Sequence, residues 1–243
     1  MENNILNTKV GQLVRKQPLT ASVFRKANID FCCGGDISIA EACARNKVDA
    51  DLLSAELMKA IQSDKTPPSL DFDGMSLSFL IDYIYNVHHK YLYNTLPEIE
   101  FYVNKVTAKH GEKYLWLAQL HSLYHTLSEE LKNHLPKEEN ILFPKVKEIE
   151  EKINMGIEIT PEVLKMFEGP IKAMYQEHDG AGEIIHELSR ITNNYTPPED
   201  ACNSHLYMLE KLKELHFDLT QHIHLENNIL FPKIVALQEE LQS

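Results

Sequence analysis

An internal repeat constrains the fold of this chain more than any other feature. Residues 134–146 read HLPKEENILFPKV and residues 222–234 read HIHLENNILFPKI, an offset of 88 residues. Both copies carry a His, a Glu four positions later, and a shared Ile-Leu-Phe-Pro-Lys run. A repeat of this kind indicates a duplicated pair of helices.

The repeated His and Glu indicate a metal site rather than a surface ion pair. Residues four apart share one helix face, with Cβ atoms roughly 6 Å apart. His134 with Glu138, and His222 with Glu226, can therefore each offer two ligands together. A single pair is common on solvated helices, but surface pairs contribute too little stability to recur inside matched apolar frames.

Regularly spaced histidines extend the candidate site to two further helices. The intervals from His89 to His134, from His134 to His178 and from His178 to His222 are 45, 44 and 44 residues. One histidine per helix at a similar depth is therefore expected. The first position is ambiguous, because only one of the adjacent His88 and His89 is expected to face the bundle interior. The apolar stripe 77, 80, 81 and 84 extrapolates to His88, whereas the repeat offset favours His89. We interpret six other histidines as surface or interhelical hydrogen-bonding residues: His121, His125, His186, His205, His216 and His224.

The composition predicts an all-α fold. Leu, Glu, Lys and Ala dominate, and the chain has 9 glycines. Four long helical patterns, at about 75–109, 113–152, 161–192 and 199–241, are joined by short breaks. Helices of this length with short connections pack as an antiparallel up-down-up-down bundle. We therefore predict a four-helix bundle over residues 75–243.

A small helical domain is predicted over residues 1–62, before a Pro-rich linker at 63–74. Short helices are expected at about 10–15, 19–27, 38–45 and 49–61. Cys32 and Cys33 precede a Gly-Gly turn at a helix junction, where thiolates near a helix start are activated. Cys43 and Cys202 are expected to be structural.

Charge and hydropathy exclude several classes of partner. The net charge is −12, with no basic block, so nucleic acid is not an expected partner. No stretch approaches the ~20 apolar residues of a membrane span, and the N-terminus lacks a secretory leader. We expect a cytoplasmic protein.

The donor set itself points to the kind of metal. Four His and two Glu form a mixed nitrogen and oxygen set that suits iron or manganese and is too rich in carboxylate for structural zinc. Two bridging carboxylates with two His per metal leave coordination positions open.

These motifs together resemble the repair-of-iron-centres family of hemerythrin-like proteins. The resemblance rests on three sets of residues that run through almost the whole chain: Phe24-Arg25-Lys26 with Asp30-Phe31-Cys32-Cys33-Gly34-Gly35, Glu177-His178-Asp179, and the two His-x-x-x-Glu copies. It implies that a non-haem, carboxylate-bridged pair of iron ions is held by His89, His134, Glu138, His178, His222 and Glu226.

The family resemblance also carries expectations about function. It implies repair of iron–sulfur clusters damaged by oxidative or nitrosative stress, with iron donated to damaged iron–sulfur proteins. Oxygen-carrying hemerythrins place a histidine four residues after the position of His178, where this chain has Gly182. The alternative is an enzyme or sensor that binds nitric oxide or oxygen. Cys32 and Cys33 are candidates to relay iron or electrons, and a homodimer is compatible with the sequence.

Overall fold

The computed structural model of the protein describes residues 5–62 and 71–240. Apart from one isolated β-bridge between Lys9 and Ser38, the secondary structure of these residues is helical, and the fold is all-α, as the composition predicts. No helix within these two ranges combines the length and apolar character that crossing a lipid bilayer requires.

Residues 5–62 of the small domain form four short α-helices and a 3-10 turn (Pro18–Thr20). Polar side chains determine where two of the α-helices begin. The α-helices are α1 (Val10–Lys16), α2 (Ala21–Lys26), α3 (Ile39–Asn46) and α4 (Ala50–Ile61). Ser38 accepts a hydrogen bond from the first turn of α3, and Asp49 accepts two from that of α4. Such caps satisfy amide groups that have no partner within the helix. All four helices lie within two residues of their predicted bounds.

Four long helical stretches, which we call the first to fourth bundle helices, follow. The first comprises α5 (Leu77–Tyr83), a π-helix (Ile84–His89) and α6 (Lys90–His110). The second comprises α7 (Trp116–Lys137), a π-helix (Glu138–Leu142) and α8 (Phe143–Asn154). The third is α10 (Glu168–Ile191), preceded by the short α9 (Pro161–Lys165). The fourth comprises α11 (Asn203–Leu225), a π-helix (Glu226–Leu230) and α12 (Phe231–Glu240).

The π-helical turns are the main departure from the predicted helices. In both copies of the repeat, the π turn ends immediately before a Phe-Pro pair, at Pro144 and Pro232. Proline has no N–H and clashes with the carbonyl four residues earlier, which disfavours a regular α turn at this place. A π turn accommodates the proline by widening the helix by one residue. The helix predicted over 161–192 is also divided, with a break at residues 166–167. Of the predicted linker, the structure describes residues 71–74, in which Phe72–Gly74 forms a 3-10 turn.

The core of the bundle has two apolar regions. One includes Leu92, Leu131 and Ile223, and the other includes Ile84 and Phe231. The candidate ligands come from the repeat and from the regularly spaced histidines. They lie between the two apolar regions along the bundle axis. The polar residues are therefore a layer enclosed on both sides by packed apolar side chains.

Backbone segments of the small domain approach one another closely beside the hydrogen bond that joins this domain to the bundle. The amide of Gly11 donates to the carbonyl of Gly35 at 2.8 Å, and the side chain of Asn228 in the fourth bundle helix donates to the carbonyl of Cys32 at 3.2 Å. A Cβ at Gly35 would lie 2.5 Å from the Phe31 carbonyl oxygen and 3.0 Å from Gly11. The absence of a side chain at position 35 is therefore required for the close approach of this backbone to Phe31 and Gly11 within the small domain.

Replacement of Gly35 tests the packing of the small domain. We expect Gly35→Ala to destabilise the protein by about 1–3 kcal/mol, because the added methyl meets backbone that has no room to move. Gly180→Ala is the matched control. Gly180 lies within α10, and no atom lies within 4 Å of a Cβ added there. Alanine at this position is expected to raise the free energy of unfolding by up to about 1 kcal/mol, because alanine favours the helix more than glycine does. Urea unfolding of both variants measures the difference, and equal free energies of unfolding would contradict the packing argument.

Candidate metal centre

Six side chains from the four bundle helices meet in the polar layer, and they are the six that the family resemblance implied. All are at most 4% exposed: His89, His134, Glu138, His178, His222 and Glu226. Burial of two carboxylates and four imidazoles in an apolar bundle is unfavourable unless the charges are compensated. The layer is therefore a functional-site candidate on energetic grounds alone.

The six residues form two groups that share both glutamates. One group contains His89 and His222, and the other contains His134 and His178. In each group the potential ligand atoms, including those of Glu138 and Glu226, all lie within 4.8 Å of one another. Each group could hold a metal ion, and the two groups share both carboxylates.

Each glutamate faces one histidine of each group. Glu138 Oε2 lies 3.2 Å from His134 Nε2 and 3.5 Å from His89 Nε2. Glu226 Oε1 lies 3.1 Å from His222 Nε2, and its Oε2 lies 3.2 Å from His178 Nε2. All four histidines thus present Nε2 to the carboxylates.

The donor atoms fit a pair of cations. Both Glu138 oxygens and Glu226 Oε2 are buried, and no donor within the described ranges meets hydrogen-bond geometry with them. The Nε2 atoms also face each other across each group, at 3.1 Å for His89 and His222 and 3.2 Å for His134 and His178. Carboxylates without donors and opposed imidazole nitrogens are expected where cations supply the missing interactions.

Three of the six candidate ligands belong to π-helical turns. Glu138 and Glu226 are the first residues of their π turns, and His89 is the last residue of the turn in the first bundle helix. A π turn carries one residue more than an α turn, so it rotates the side chains that follow it. Single-turn π segments occur frequently at functional sites for this reason.

The ambiguity between His88 and His89 is resolved by this turn. His89 is fully buried and faces Glu138, whereas His88 is 4% exposed and stacks behind His222, with its Nδ1 2.9 Å from Asp218 Oδ1. The expectation that only one of two adjacent residues faces the interior assumed a regular α-helix and is wrong. The π turn turns both residues inward, with only His89 at the glutamates.

Three of the four candidate ligand histidines have a hydrogen-bond partner at Nδ1, the ring nitrogen that does not face the carboxylates. The pairs are His89 with Glu139 at 2.8 Å, His134 with Glu177 at 2.7 Å, and His178 with Asn227 at 2.7 Å. Such partners hold the ring with Nε2 towards the metal and raise the basicity of the ligand. Sequence reasoning assigned no role to these three partners, although each immediately precedes or follows a candidate ligand in the chain.

The charges of the layer stabilise one another in the metal-free protein. Burial acts to raise the pKa of Glu226, but the imidazoles of His222 and His178 hold it well below its usual range. Burial likewise acts to lower the pKa of His134, but Glu138, Glu226 and Glu177 raise it to about 9. The proton on His134 thus supplies positive charge beside the carboxylates, where a cation would otherwise supply it.

A cavity of about 390 Å³ leads to the ligand layer between the second and third bundle helices. Its lining includes His134, Glu177, His178 and His222. It therefore gives small solutes a route to both groups of the candidate site.

The loop that contains Asp30, Cys32 and Cys33, which we call the cysteine loop, lies against the same layer. Cys33 Sγ is 3.3 Å from the backbone oxygen of His178, and a Cβ at Gly182 would lie 3.0 Å from this sulfur. The glycine that replaces the additional histidine of oxygen carriers therefore makes room for Cys33. With Asp30 and Cys32, Cys33 forms a third group whose potential ligand atoms lie within 4.8 Å of one another.

The expected activation of the thiols is not found for Cys32. A hydrogen bond with Cys33, burial and the negative charge of Asp30 raise the pKa of Cys32 well above its usual value. The prediction from helix-start position failed because the nearest charge is a carboxylate, 3.0 Å from the sulfur. Cys43 is buried, as expected of a structural residue, whereas Cys202 is exposed and lies 3.3 Å from His110 Nε2.

The six histidines interpreted as unrelated to metal lie outside the candidate site. Five have polar neighbours: His121 and His125 at Asn104, His186 at Asp30, His216 at Tyr195, and His224 at Asn228. His205 is fully buried among aromatic rings, including that of Trp116. None of them belongs to a potential metal-binding group of the described residues.

Comparison with known proteins matches both parts of the chain. Residues 80–234 match the model of the hemerythrin HHE cation binding domain, and residues 6–61 match a domain of unknown function, DUF542. Proteins named iron-sulfur cluster repair protein YtfE from Escherichia coli O81 (strain ED1a), E. coli O1:K1 / APEC and Escherichia fergusonii are similar to it. Each is 37% identical over 227 residues, which is 93% of this chain and 96% of the relative.

The contribution of His134 to the stability of the metal-free protein is expected to be lost as the pH rises from about 6.5 to 9. The pKa of His134 is about 9 in the folded protein and about 6.5 when unfolded. The stabilisation from its proton is therefore complete below pH 6.5 and is lost as the pH rises through 9. Urea unfolding of metal-free protein at pH 7.5, 8.3 and 9 measures this decline. In this range His216 and His224, whose pKa values burial lowers to about 4, are neutral in the folded protein and almost entirely neutral in the unfolded chain. Metal-free His134→Gln should show a smaller decline, and an equal decline would assign the effect to other groups.

Proposed function

The chain belongs to the hemerythrin HHE cation-binding family, and from this premise we propose that it repairs damaged iron–sulfur clusters by donating iron. The observation that carries the proposal is the pair of buried ligand groups that share Glu138 and Glu226. The relatives named as iron-sulfur cluster repair proteins span both the small domain and the bundle, which supports extending their role to this chain.

In this proposal the six side chains hold two iron ions. His89 with His222 and His134 with His178 serve as terminal ligands, and Glu138 and Glu226 bridge the two positions. Bound iron is the cargo that a damaged cluster receives. Glu139, Glu177 and Asn227 orient the histidines, and the apolar regions on both sides exclude water from the layer.

Several features favour donation over permanent storage. Two histidines and two shared carboxylates offer each ion four protein ligands, fewer than the six positions of an octahedral ion. The cavity that reaches His134, His178 and His222 supplies an exit. A site with open positions and a route to solvent suits an ion that must leave.

The cysteine loop is the proposed acceptor on the path of the iron. Asp30, Cys32 and Cys33 offer one carboxylate and two thiols directly beside His178. Thiols that are protonated in the absence of metal lose their protons when a cation binds. The raised pKa of Cys32 therefore suits a site that binds iron briefly and gives it up.

Transfer of labelled iron tests the proposed donation. Wild-type protein loaded with ⁵⁷Fe is expected to bind two ions and to restore a [4Fe–4S] dehydratase inactivated by nitric oxide, with the label found in the repaired cluster. Glu138→Leu removes a ligand of both groups and should lose most of its iron and its repair activity. Glu148→Gln is the control, because Glu148 lies on the same bundle helix but is exposed and paired with Lys152. Consumption of nitric oxide without transfer of label would instead support the gas-binding alternative.

The cysteines are tested separately from the bundle. Cys32→Ser/Cys33→Ser should retain the iron of the bundle, because the serines leave all six ligands in place, but should transfer it more slowly. Cys43→Ser is the control for loss of a buried thiol in the small domain. Unchanged transfer kinetics in the double variant would remove the cysteines from the path.

A further inference from the structure

The four candidate ligand histidines are not supported equally. Three have an Nδ1 partner among carboxylate or amide side chains: Glu139, Glu177 and Asn227. The Nδ1 of His222 is buried and has no hydrogen-bond partner among the described residues. The group formed by His134 and His178 therefore has two anchored histidines, and the group formed by His89 and His222 has one.

His88 contacts the face of the His222 ring and does not bond to its Nδ1. Its ring is stacked on that of His222, with centroids 5.5 Å apart and an interplanar angle of 6°. Asp218, one helical turn before His222, binds His88 Nδ1 at 2.9 Å. Tyr83 closes the other side of the His88 ring at 5.8 Å in an edge-to-face contact. His88 is thus held in one orientation by three neighbours, of which His222 is one.

Stacking and hydrogen bonding support a ligand differently. A carboxylate on Nδ1 fixes the tautomer, orients the ring and raises the basicity of the ligand nitrogen. A stacked ring restricts the orientation but does not supply that hydrogen bond. His222 is therefore oriented without the hydrogen bond that makes a ligand nitrogen more basic.

We propose that His88, aligned by Asp218, positions His222, and that the metal position of His89 and His222 releases its ion first. This inference deepens the proposed function and rests on it, because it requires that both positions hold iron. Release does not require passage through the other position, since His222 itself lines the cavity that leads to solvent. The protein then keeps one tightly held ion after giving up the other.

Competition with a ferrous chelator tests the order of release. Wild-type protein loaded with two ferrous ions should lose them in two phases of equal amplitude. His88→Leu should accelerate the fast phase by on the order of 10-fold and leave the slow phase unchanged, since loss of outer support typically weakens metal binding by 10–100-fold. Asn227→Leu, which removes the Nδ1 partner of His178, is the matched variant and should accelerate the slow phase instead.

Two further measurements separate positioning from general damage to the fold. His88→Phe retains the stacked ring and should release iron more slowly than His88→Leu, while circular dichroism of each metal-free variant reports its folding. Iron-edge anomalous diffraction after the fast phase should show iron between His134 and His178. If His88→Leu does not fold, the comparison of wild type with His88→Phe and Asp218→Asn decides in its place, with faster fast-phase release expected in both.

The outcomes distinguish this inference from the proposal on which it rests. Iron remaining between His89 and His222, or a fast phase that none of the His88 and Asp218 variants changes, overturns the inference while leaving a two-iron donor intact. Wild-type protein that binds fewer than two ions overturns the proposed function itself.

Discussion

Two glutamates side by side in an apolar bundle are the constraint on which the rest of the structure depends. Glu138 and Glu226 are fully buried, and the cost of removing two carboxylates from water is several kcal/mol per ion. Four imidazoles surround them, and these lower the pKa of both acids although burial and mutual repulsion act in the opposite direction. The layer is stable because every negative charge in it faces a group that can carry a positive one.

The helices around this layer are shaped by its requirements. A regular α-helix would direct His88 and His89 to different faces, yet the layer uses one as a candidate ligand and the other as a support. The π turn of the first bundle helix makes this possible at the cost of poorer hydrogen-bond geometry in one turn. The two π turns of the repeat begin at Glu138 and Glu226, so the widened turns and the buried acids lie at the same level of the bundle.

Much of this arrangement could be predicted because it is encoded in spacing. The four-residue interval of the repeat and the near-equal intervals between histidines led to His134, Glu138, His178, His222 and Glu226, and helix bounds followed from caps and breaks. The tertiary partners could not be predicted in the same way. Asp218 meets His88 across 130 residues, and neither spacing nor periodicity specifies such a contact. The raised pKa of Cys32 was missed because it depends on the side-chain direction of Asp30.

The adjacent residues Asn227 and Asn228 connect the candidate metal layer to the small domain. Asn227 orients His178 from within the bundle, and Asn228 donates to the carbonyl of Cys32 in the cysteine loop. Both lie in the π turn that begins at Glu226. Two consecutive residues of one turn therefore contact both the candidate ligand His178 and the loop of Cys32. The small domain is thus a wall of the candidate site, and its absence would leave the Gly182 face of the third bundle helix uncovered.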